Sequence, residues 1–430
     1  MEKIKTVFLI LNMGLIIKLI FWEKKETEST WAWILVLFNF PLVGFLLYML
    51  TGQNIPKQKN NTEQEIGGLT EDNHVEVLTT GEEKFQAVFM DIQKAKKEIL
   101  VQYYIFKDDF LFQKLRENLC KKSLEGIKVK VLYDGLGSRK ISLKKWDEMR
   151  KAGVEVKCFK HGIWNNLLSV ISGFNYRNHR KILIVDGYIG YLGGYNVGKE
   201  YLGMDPRFGF WRDTHFRIVG SAVSSLRKVF FSDWGVEQGE KVMEGGSGGC
   251  GVQMVISGPT SASPHIRNVY LRCIGNAKKK IQIQTPYFIP DGAVLNALKL
   301  ALLSGKEVQL MLPKKPDHMF VYWASLYYAA QLLEMGAEVY IYQNGFLHTK
   351  GMIMDEDIYC YGTANMDIRS FHLNYEINAI VYGEREVKKM CGIFRQDLEN
   401  CKPLTEQEYA SRSLKIRIKE HISRLLSPLL

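Results

Sequence analysis

One short stretch, His179-Arg-Lys-Ile-Leu-Ile-Val-Asp-Gly187, decides how the rest of the chain is interpreted. Its centre, residues 182–185, is an unbroken aliphatic run that predicts a buried strand, and the following Asp-Gly pair predicts a turn. Successive side chains of a strand point to opposite faces, so His179 and Lys181 share one face. Asp186 follows at the turn, and we expect it to point away from that face and to give structural support.

The same pattern returns later in the chain. His179, Lys181, Asp186, Gly193 and Asn196 recur as His348, Lys350, Asp355, Gly362 and Asn365, with identical internal offsets of 2, 7, 14 and 17 residues. Ahead of both copies, short apolar strand patterns alternate with helical patterns, which is typical of an α/β layered fold. Each copy also ends in a helix that carries Phe-x-x-Asp, at 230–233 and 394–397. We therefore interpret the chain as two copies of one α/β domain.

Composition shifts suggest where these domains begin and end. The predicted organisation is a two-helix membrane anchor over 1–52, a linker over 53–72, a first domain over 73–244, a glycine-rich linker over 245–250, a second domain over 251–410 and a basic amphipathic helix over 411–430. The first linker is rich in Asn, Gln and Lys without apolar periodicity, and the second reads Gly-Gly-Ser-Gly-Gly over 245–249. Both compositions are typical of flexible connections.

The overall composition excludes several classes of protein. The 430 residues carry 57 Lys and Arg against 46 Asp and Glu, a formal net charge of +11, which excludes an acidic disordered chain. A mean hydropathy of −0.12 is high for a chain that is 24% charged, so apolar residues must be concentrated somewhere. Seven scattered cysteines without a CxxC pair argue against a disulfide framework and a structural zinc site, and favour a reducing compartment.

The apolar excess lies near the N-terminus. Trp31–Leu50 is twenty residues without a charge, about the length a helix needs to cross a bilayer, and we predict a transmembrane helix there. Val7–Trp22 is a weaker run interrupted by Lys18, so the two together predict a membrane hairpin. Four lysines flank the hairpin, at positions 3, 5, 57 and 59, against two in its loop, at 24 and 25. This distribution predicts a multi-pass membrane protein with cytoplasmic catalytic domains.

Two histidines in matched settings could carry out phosphodiester exchange. A neutral imidazole can attack phosphorus, while an ammonium and an amide hold the anionic oxygens. Exchange through a covalent intermediate also needs a proton donor for the leaving group, which later acts as a base. His179 and His348 meet both needs if the two copies face each other. No HExxH, EF-hand or clustered carboxylate signature accompanies them, so we expect a metal-free mechanism and no cofactor.

The doubled HxKx4D pattern, followed each time by Gly and Asn, resembles the phospholipase D superfamily. Three further stretches are similar to the bacterial cardiolipin synthases within it: Asn178–Ile182 with Gly190–Asn196, Trp211–His215, and Gly362–Phe371 with Asn374–Glu376. The resemblance implies two phospholipase D-type α-β-α sandwich domains with the active site between them. It also implies a bacterial membrane enzyme that transfers a phosphatidyl group from one phosphatidylglycerol to another, giving cardiolipin and glycerol.

The resemblance further implies a role for each residue of the motif. His179 would attack phosphorus and His348 would act first as acid and then as base, although pseudo-symmetry lets the roles be exchanged. The residues implied to bind the phosphate are Lys181, Asn196, Lys350 and Asn365. Asp213 and Glu376 would hydrogen-bond the imidazoles and fix their orientation, the alternative being that they are surface carboxylates. Asp186 and Asp355 belong to the motif, and we expect support from them rather than chemistry.

Other functions remain open on sequence alone. The same chemistry would serve a phospholipase D hydrolase, or a synthase that uses another alcohol acceptor. A nuclease of this superfamily has no need of a membrane anchor, and an inactive lipid-binding scaffold has no need of two intact motifs. We therefore expect anionic phospholipid and the membrane as partners, not nucleic acid, and leave the oligomeric state open.

Two amphipathic segments could either bind the membrane or pack on a domain. The first domain exceeds the second by 14 residues before its histidine, and the excess carries Trp164, Leu167, Leu168, Ile171 and Phe174. This segment could dip into the bilayer surface or cap the domain core. In the last twenty residues, Leu414, Ile418, Ile422 and Leu425 share one helical face among five basic residues and one glutamate. That helix could bind an anionic membrane or pack on the domain.

Overall fold

The computed structural model describes residues 2–23, 27–52, 67–159, 176–236 and 249–427. The chain divides into two compact units, the first made of 1–58 and 160–177 and the second of 59–159 and 178–430. The apolar segment that contains Trp164, most of the linker predicted over 53–72 and most of the glycine-rich linker lie outside the described residues.

The first unit contains helices α1 (Glu2–Phe21), α2 (Thr27–Asn39) and α3 (Pro41–Leu47), followed by a π-helical turn over Tyr48–Gly52. The prediction of one continuous helix over Trp31–Leu50 is wrong, because the helix is interrupted at Phe40, where φ is −128° and ψ is 69°. Pro41 explains the break, since it has no N–H to donate and its ring disfavours the helical conformation of the preceding residue. Among the helices of the described ranges, none is both long enough and apolar enough to cross a membrane.

The first unit buries one polar side chain and exposes many large apolar ones. Asn12 is buried, and its Nδ2 donates to the carbonyl oxygens of Leu37 and Pro41, both at 2.8 Å. Large apolar side chains are instead exposed, among them Ile10, Phe21, Trp22, Trp31, Phe38 and Phe40. Leu19, Leu37 and Tyr48 form a small buried core, so most of the large apolar side chains of the three helices remain on the surface.

The second unit alternates strands and helices. Its first half contains β1 (Thr70–Leu78), α4 (Gly81–Lys94), β2 (Glu98–Tyr103), α5 (Phe110–Leu124), β3 (Lys128–Asp134), α6 (Leu143–Lys151), β4 (Glu155–Phe159), β5 (Arg177–Asn178, which begins in the first unit), β6 (Ile182–Val185), β7 (Ile189–Gly193), a 3₁₀ turn (Lys199–Leu202), β8 (Trp211–Arg212), β9 (His215–Val219) and α7 (Val223–Trp234).

Its second half repeats this order and then adds a C-terminal extension. The elements are β10 (Cys250–Ser257), α8 (His265–Asn276), β11 (Lys280–Gln284), β12 (Phe288–Ile289), α9 (Gly292–Leu303), β13 (Glu307–Pro313), α10 (Met319–Leu333), β14 (Glu338–Tyr342), β15 (Phe346–Leu347), β16 (Gly351–Met354), β17 (Ile358–Gly362), β18 (Met366–Asp367), α11 (Ile368–His372), β19 (Asn374–Tyr382), α12 (Glu384–Glu399), β20 (Cys401–Pro403), α13 (Glu406–Ala410) and α14 (Leu414–Leu425).

The two halves share one continuous sheet. Its strands lie in the order β20-β14-β13-β11-β16-β17-β19-β10-β1-β9-β7-β6-β2-β3-β4. β1 and β10 form an antiparallel pair at the junction, with Thr70 opposite Val252 and Asn73 opposite Cys250. Outward from that junction each half runs through equivalent strands in the same order, with β20 added to one edge. The prediction of two copies of one α/β domain is therefore confirmed.

The motif strand lies at the centre of its half because both of its faces are apolar. All four residues of β6, Ile182–Val185, are buried. Ile182 and Ile184 pack into one hydrophobic cluster together with α7, whereas Leu183 and Val185 pack into another with α4 and α5. A strand covered by helices on both sides holds the residues at its ends in a fixed position.

Candidate active site

His179 lies just before β6 and pairs with a carboxylate of the other half. Its Nδ1 is 2.9 and 3.0 Å from the two carboxylate oxygens of Glu376 on β19. The backbone N–H of His179 donates to the carbonyl oxygen of Tyr375 at 3.0 Å. The Glu376 side chain is fully buried and the imidazole is mostly buried. Backbone and side chain together hold this ring in one orientation.

His348 has the complementary arrangement. Its Nδ1 is 2.5 Å from Oδ2 of Asp213, which lies between β8 and β9 of the first half. The Lys350 ammonium donates to the carbonyl oxygen of His348, and its nitrogen lies 2.9 Å from the same Nδ1. The carboxylate of Asp213 can only accept and lies closer to Nδ1 than Lys350 does, so we assign the proton to Nδ1, which donates it to Asp213 and leaves a lone pair on Nε2.

The two histidine–carboxylate pairs therefore cross between the halves. His179 of the first half is held by Glu376 of the second, and His348 of the second half is held by Asp213 of the first. Glu376 and Asp213 occupy equivalent places, because β9 and β19 are equivalent strands of the sheet. Neither pair can form unless the two halves are docked.

Burial sets the protonation of both rings. It lowers the pKa of His348 to about 4, with Lys350 adding to the effect and Asp213 opposing it. Burial likewise lowers the pKa of His179, although Glu376 opposes the shift. Burial alone would raise the pKa of Asp213, but Lys350 and His348 outweigh it and lower that pKa to about 2. Near neutral pH the unliganded site thus holds two neutral imidazoles against a charged carboxylate, and a neutral imidazole is the nucleophilic form.

Two buried lysines complete the centre of the site. The Lys181 ammonium donates to the carbonyl oxygen of His179 at 2.5 Å, and burial lowers the Lys181 pKa to about 7. Burial also lowers the pKa of Lys350. A buried ammonium regains stability when an anion binds beside it, so this pair is suited to holding a phosphate group.

Aromatic rings enclose the imidazoles on both sides. The Tyr104 ring lies 5.1 Å from the His179 ring, and the rings of Trp211 and Phe346 lie 5.0 and 5.7 Å from the His348 ring. Trp211 and Phe346 each lie two residues before a site residue, Asp213 and His348, whereas Tyr104 is far from the motifs in sequence, and none of the three was assigned a role from the sequence. They limit the approach of water to the reacting centre.

Two stretches of the chain, 88–226 and 270–398, match the family model described as cardiolipin synthase, PLD-like domain. The chain belongs to the cardiolipin synthase family. Residues 10–53 match a second model, described as phospholipase D-nuclease N-terminal. As a member of this family, the chain is a phosphatidyltransferase of the phospholipase D type.

Individual relatives agree with this family membership. The chain is 44% identical to the major cardiolipin synthase ClsA of Bacillus subtilis, with 99% of this chain and 98% of the relative covered. It is 42% identical to the cardiolipin synthase of Oceanobacillus iheyensis, with 98% of each covered. The crystal structure of phosphatidylserine synthase from Haemophilus influenzae shares the fold, with a TM-score of 0.66 at 15% identity over 83% of this chain and 95% of that one.

The motif asparagines are tied to their own neighbours. Asn196 accepts from the backbone N–H of Ile105 at 3.1 Å and donates to the Tyr201 hydroxyl at 3.0 Å. Asn365 donates to the carboxylate of Asp367 at 3.2 Å, and burial raises the pKa of that carboxyl to about 6. Each amide nitrogen keeps a second N–H for a ligand, so the role in phosphate binding stays a prediction.

The motif aspartates lie away from the imidazoles. Asp186 accepts from the backbone N–H groups of three consecutive residues, Lys96, Lys97 and Glu98, at 2.7–3.1 Å. Asp355 accepts in the same way from Lys278, Lys279 and Lys280, at 2.6–2.8 Å. Both have a left-handed backbone, with φ of 54° and 53°, which Asp tolerates better than most residues. Each carboxylate therefore stabilises the start of a neighbouring strand, β2 in the first half and β11 in the second.

We expect Asp186→Ala and Asp355→Ala to lower the free energy of unfolding by about 2–4 kcal/mol each, since both leave several N–H groups without a charged acceptor. Urea unfolding followed by circular dichroism measures this loss. Backbone N–H groups outweigh burial and lower the Asp355 pKa below its ordinary 3.8. That stabilisation is therefore present above about pH 4 and is lost as the pH falls through the lower folded-state pKa. Unchanged stability together with lost activity would instead give these residues a chemical role.

Two buried arginines brace the crossed pairs. Arg180 pairs with Asp233 at 2.6 Å and donates to the carbonyl oxygen of Glu376 at 3.3 Å. Arg212 makes two bonds of 2.8 Å to Asp397 and donates to the carbonyl oxygen of Asp213. The two aspartates are the last residues of the repeated Phe-x-x-Asp pattern. The repeat was visible in the sequence, but its connection to the site was not.

One glycine is required by the close packing around Asp213. A Cβ atom added at Gly194 would lie 2.0 Å from Oδ1 of Asp213. Any larger residue there would displace the carboxylate that orients His348.

Proposed function

We propose that the chain makes cardiolipin by transferring the phosphatidyl group of one phosphatidylglycerol to a second. The observation that carries the proposal is the pair of neutral imidazoles, each held by a carboxylate of the opposite half, beside two buried lysines. The names of the relatives, cardiolipin synthases at 40–44% identity, support the choice of product and of the anionic phospholipid substrate.

In the first step, Nε2 of His179 attacks the phosphorus of the bound phosphatidylglycerol. The P–N bond forms as the bond from phosphorus to the glycerol headgroup oxygen breaks. His348 gives its Nε2 proton to that oxygen, so glycerol leaves neutral. Lys181 and Lys350 hold the phosphoryl oxygens, where negative charge accumulates in the transition state.

In the second step, a headgroup hydroxyl of another phosphatidylglycerol attacks the phosphatidyl-histidine. His348, now neutral, takes the hydroxyl proton as the new P–O bond forms and the P–N bond breaks. The products are cardiolipin and regenerated His179. The two steps together require no net proton from solvent, because the proton given to glycerol is recovered from the second lipid.

Substrate binding prepares His348 for the first step. Its pKa of about 4 in the unliganded site reflects burial and the nearby charge of Lys350. A bound phosphodiester brings a negative charge that opposes both effects, so binding favours protonation of the ring. Asp213 then stabilises the resulting imidazolium. The near-symmetry of the site permits the reverse assignment of the histidines, and identifying the modified ring decides between the two.

The test is a product analysis with purified full-length protein and phosphatidylglycerol that carries a label in the headgroup glycerol. We expect labelled cardiolipin and labelled free glycerol in equal amounts. Phosphatidic acid with free glycerol would mean that water resolves the intermediate and that the chain is a hydrolase. Addition of a second alcohol, with its adduct as the main product, would mean that the acceptor is not phosphatidylglycerol.

We also propose that α1–α3 anchor the enzyme in the bacterial membrane, with both ends of this segment on the cytoplasmic side. The exposed apolar side chains and the inward-facing Asn12 support the proposal, because lipid favours apolar surfaces and buried polar groups. Extraction of membranes with alkaline carbonate should leave the protein in the pellet, and protease added outside intact cells should not cut the catalytic unit. Release by carbonate, or cleavage from outside, would reject the anchor or its orientation respectively.

A further inference from the structure

The C-terminal helix α14 turns its apolar face outward. Leu414, Ile418, Ile422 and Leu425 are 71, 49, 49 and 70% exposed, whereas Glu420 is fully buried. A helix that merely covers the domain would bury its apolar side chains and expose its charges. This helix does the opposite.

Specific contacts hold α14 in this orientation. The carboxylate of Glu420 accepts from the Tyr409 hydroxyl at 3.0 Å and from Nε of Arg412 at 2.8 Å. On the neighbouring α10, the Tyr327 hydroxyl accepts from Arg424 at 2.6 Å. These contacts fix the rotation of α14 about its axis, and that rotation leaves the apolar side chains exposed.

The charges exposed on α14 are all positive. Its basic residues are Lys415, Arg417, Lys419 and Arg424, and its acidic residue, Glu420, is turned inward against Arg412. At about 100° per residue, the four apolar side chains span an arc of about 80°. Lys415 and Lys419 border one side of that arc, and Arg417 and Arg424 lie beyond the other. An apolar arc between cationic borders matches the chemistry of an anionic bilayer surface.

Exposed apolar residues also lie at the start of α10, the helix beside α14. Lys419 and Arg424 contact the rings of Trp323 and Tyr327, so α14 and α10 run parallel and Leu414 lies near the start of α10. Met319 and Phe320, the first residues of α10, are also exposed.

The loop before α10 connects this region to the aromatic wall of the site. The Lys315 ammonium donates to the carbonyl oxygen of Phe208 at 3.2 Å. The Phe208 ring lies 5.3 Å from that of Phe346, which in turn packs against His348. The loop that leads into Met319 and Phe320 is therefore linked through Phe208 and Phe346 to the His348 ring.

We propose that these residues, which we term the C-terminal apolar strip (Leu414, Ile418, Ile422 and Leu425 with Met319 and Phe320), dock the catalytic unit on the surface of an anionic phospholipid bilayer. The apolar side chains enter the headgroup region and the basic borders contact lipid phosphates. Docking brings the His348 side of the site to the lipids on which it acts. The inference rests on the proposed function for its lipid substrate, and it adds a surface separate from the α1–α3 anchor.

A photocrosslinking experiment on the full chain tests the contact directly. p-Benzoylphenylalanine is placed at Ile418, on the strip, and in a matched variant at Ile416, which lies on the opposite side of the same helix and is only partly exposed. Both proteins are reconstituted in vesicles of phosphatidylglycerol and phosphatidylcholine and irradiated. We expect about tenfold more lipid adducts at position 418 than at position 416, because the apolar face of the helix would lie deeper in the headgroup region of the bilayer. Equal lipid labelling at both positions rejects the proposal. Adducts of position 418 with a second copy, or with another segment of the same chain, also reject it and identify the occupant.

An activity measurement separates this proposal from the proposed function. The double variant Ile418→Asp, Ile422→Asp removes apolar contact from exposed positions, so its thermal unfolding midpoint should match that of the wild type. We expect it to lose about tenfold of its activity on phosphatidylglycerol vesicles and to keep its activity on a short-chain, water-soluble phosphatidylglycerol. An equal loss on both substrates rejects docking. Failure of the wild type to make cardiolipin from either substrate, with lipid adducts still formed at position 418, rejects the proposed function and leaves the docking surface intact.

Discussion

Replacing His179 or His348 with alanine is expected to reduce cardiolipin formation by about 10⁴-fold or more, the range found when a nucleophile or its acid–base partner is removed. The two losses differ in kind. Without His179 no covalent intermediate can form, whereas without His348 the attack is slowed and any phosphatidyl-enzyme that forms is resolved slowly. Mixing enzyme with radiolabelled phosphatidylglycerol, quenching in base and identifying the labelled peptide by mass spectrometry distinguishes the variants.

The matched control is His74→Ala, because His74 is exposed on β1 and has no place in the proposed chemistry. This variant should retain wild-type activity. Label retained on residue 348 in the His179→Ala protein would reverse the roles assigned to the histidines. Substantial synthase activity in both site variants would remove the covalent mechanism altogether.

The second large effect concerns the crossed carboxylates. Glu376→Gln and Asp213→Asn keep the shape of each side chain but remove the charge that fixes the imidazole tautomer, and we expect losses of about 10²–10⁴-fold in kcat. Each variant should impair the step carried out by the histidine that its carboxylate holds. Glu376→Gln should slow formation of the phosphatidyl-enzyme through His179, and Asp213→Asn should slow the proton transfers of His348.

Rapid-quench measurement of the intermediate separates these effects, and Glu384→Gln on the exposed start of α12 serves as the matched control. If Glu376→Gln instead spared formation of the intermediate and slowed only its resolution, then His179 would not be the attacking ring. If neither carboxylate variant changed kcat, orientation of the imidazoles would not limit the reaction.

The fold and the centre of the site were accessible from the sequence because the signal was repeated. Identical offsets in the two motif copies predicted equivalent strands, and the continuous apolar run at 182–185 predicted burial on both faces. The sequence did not predict that each carboxylate pairs with the histidine of the opposite half. Asp213 and Glu376 follow their own motifs locally, and only the docking of the two halves across β1 and β10 decides which imidazole each one meets.

Two other differences between the sequence-based predictions and the structure have separate physical causes. The break at Pro41 follows from a local rule, so the sequence did contain the signal that Trp31–Leu50 is not one helix. The orientation of α14 depends instead on tertiary contacts. An amphipathic pattern identifies two faces of a helix but not which one meets the protein, and here the Tyr409 and Arg412 contacts to Glu420 decide it.

The crossed pairing also bears on how such a site can change through mutation. One half on its own carries an imidazole that lacks its carboxylate and a carboxylate that lacks its imidazole, so a detached half would need a second copy to complete any pair. In a symmetric dimer of that kind, every substitution would alter both pairs at once.

Carrying both copies on one chain releases them from this constraint. One pair now uses glutamate and the other aspartate, and the residue between the motif His and Lys is Arg180 in one half and Thr349 in the other. Each histidine can thus be tuned separately for the part it takes in the reaction.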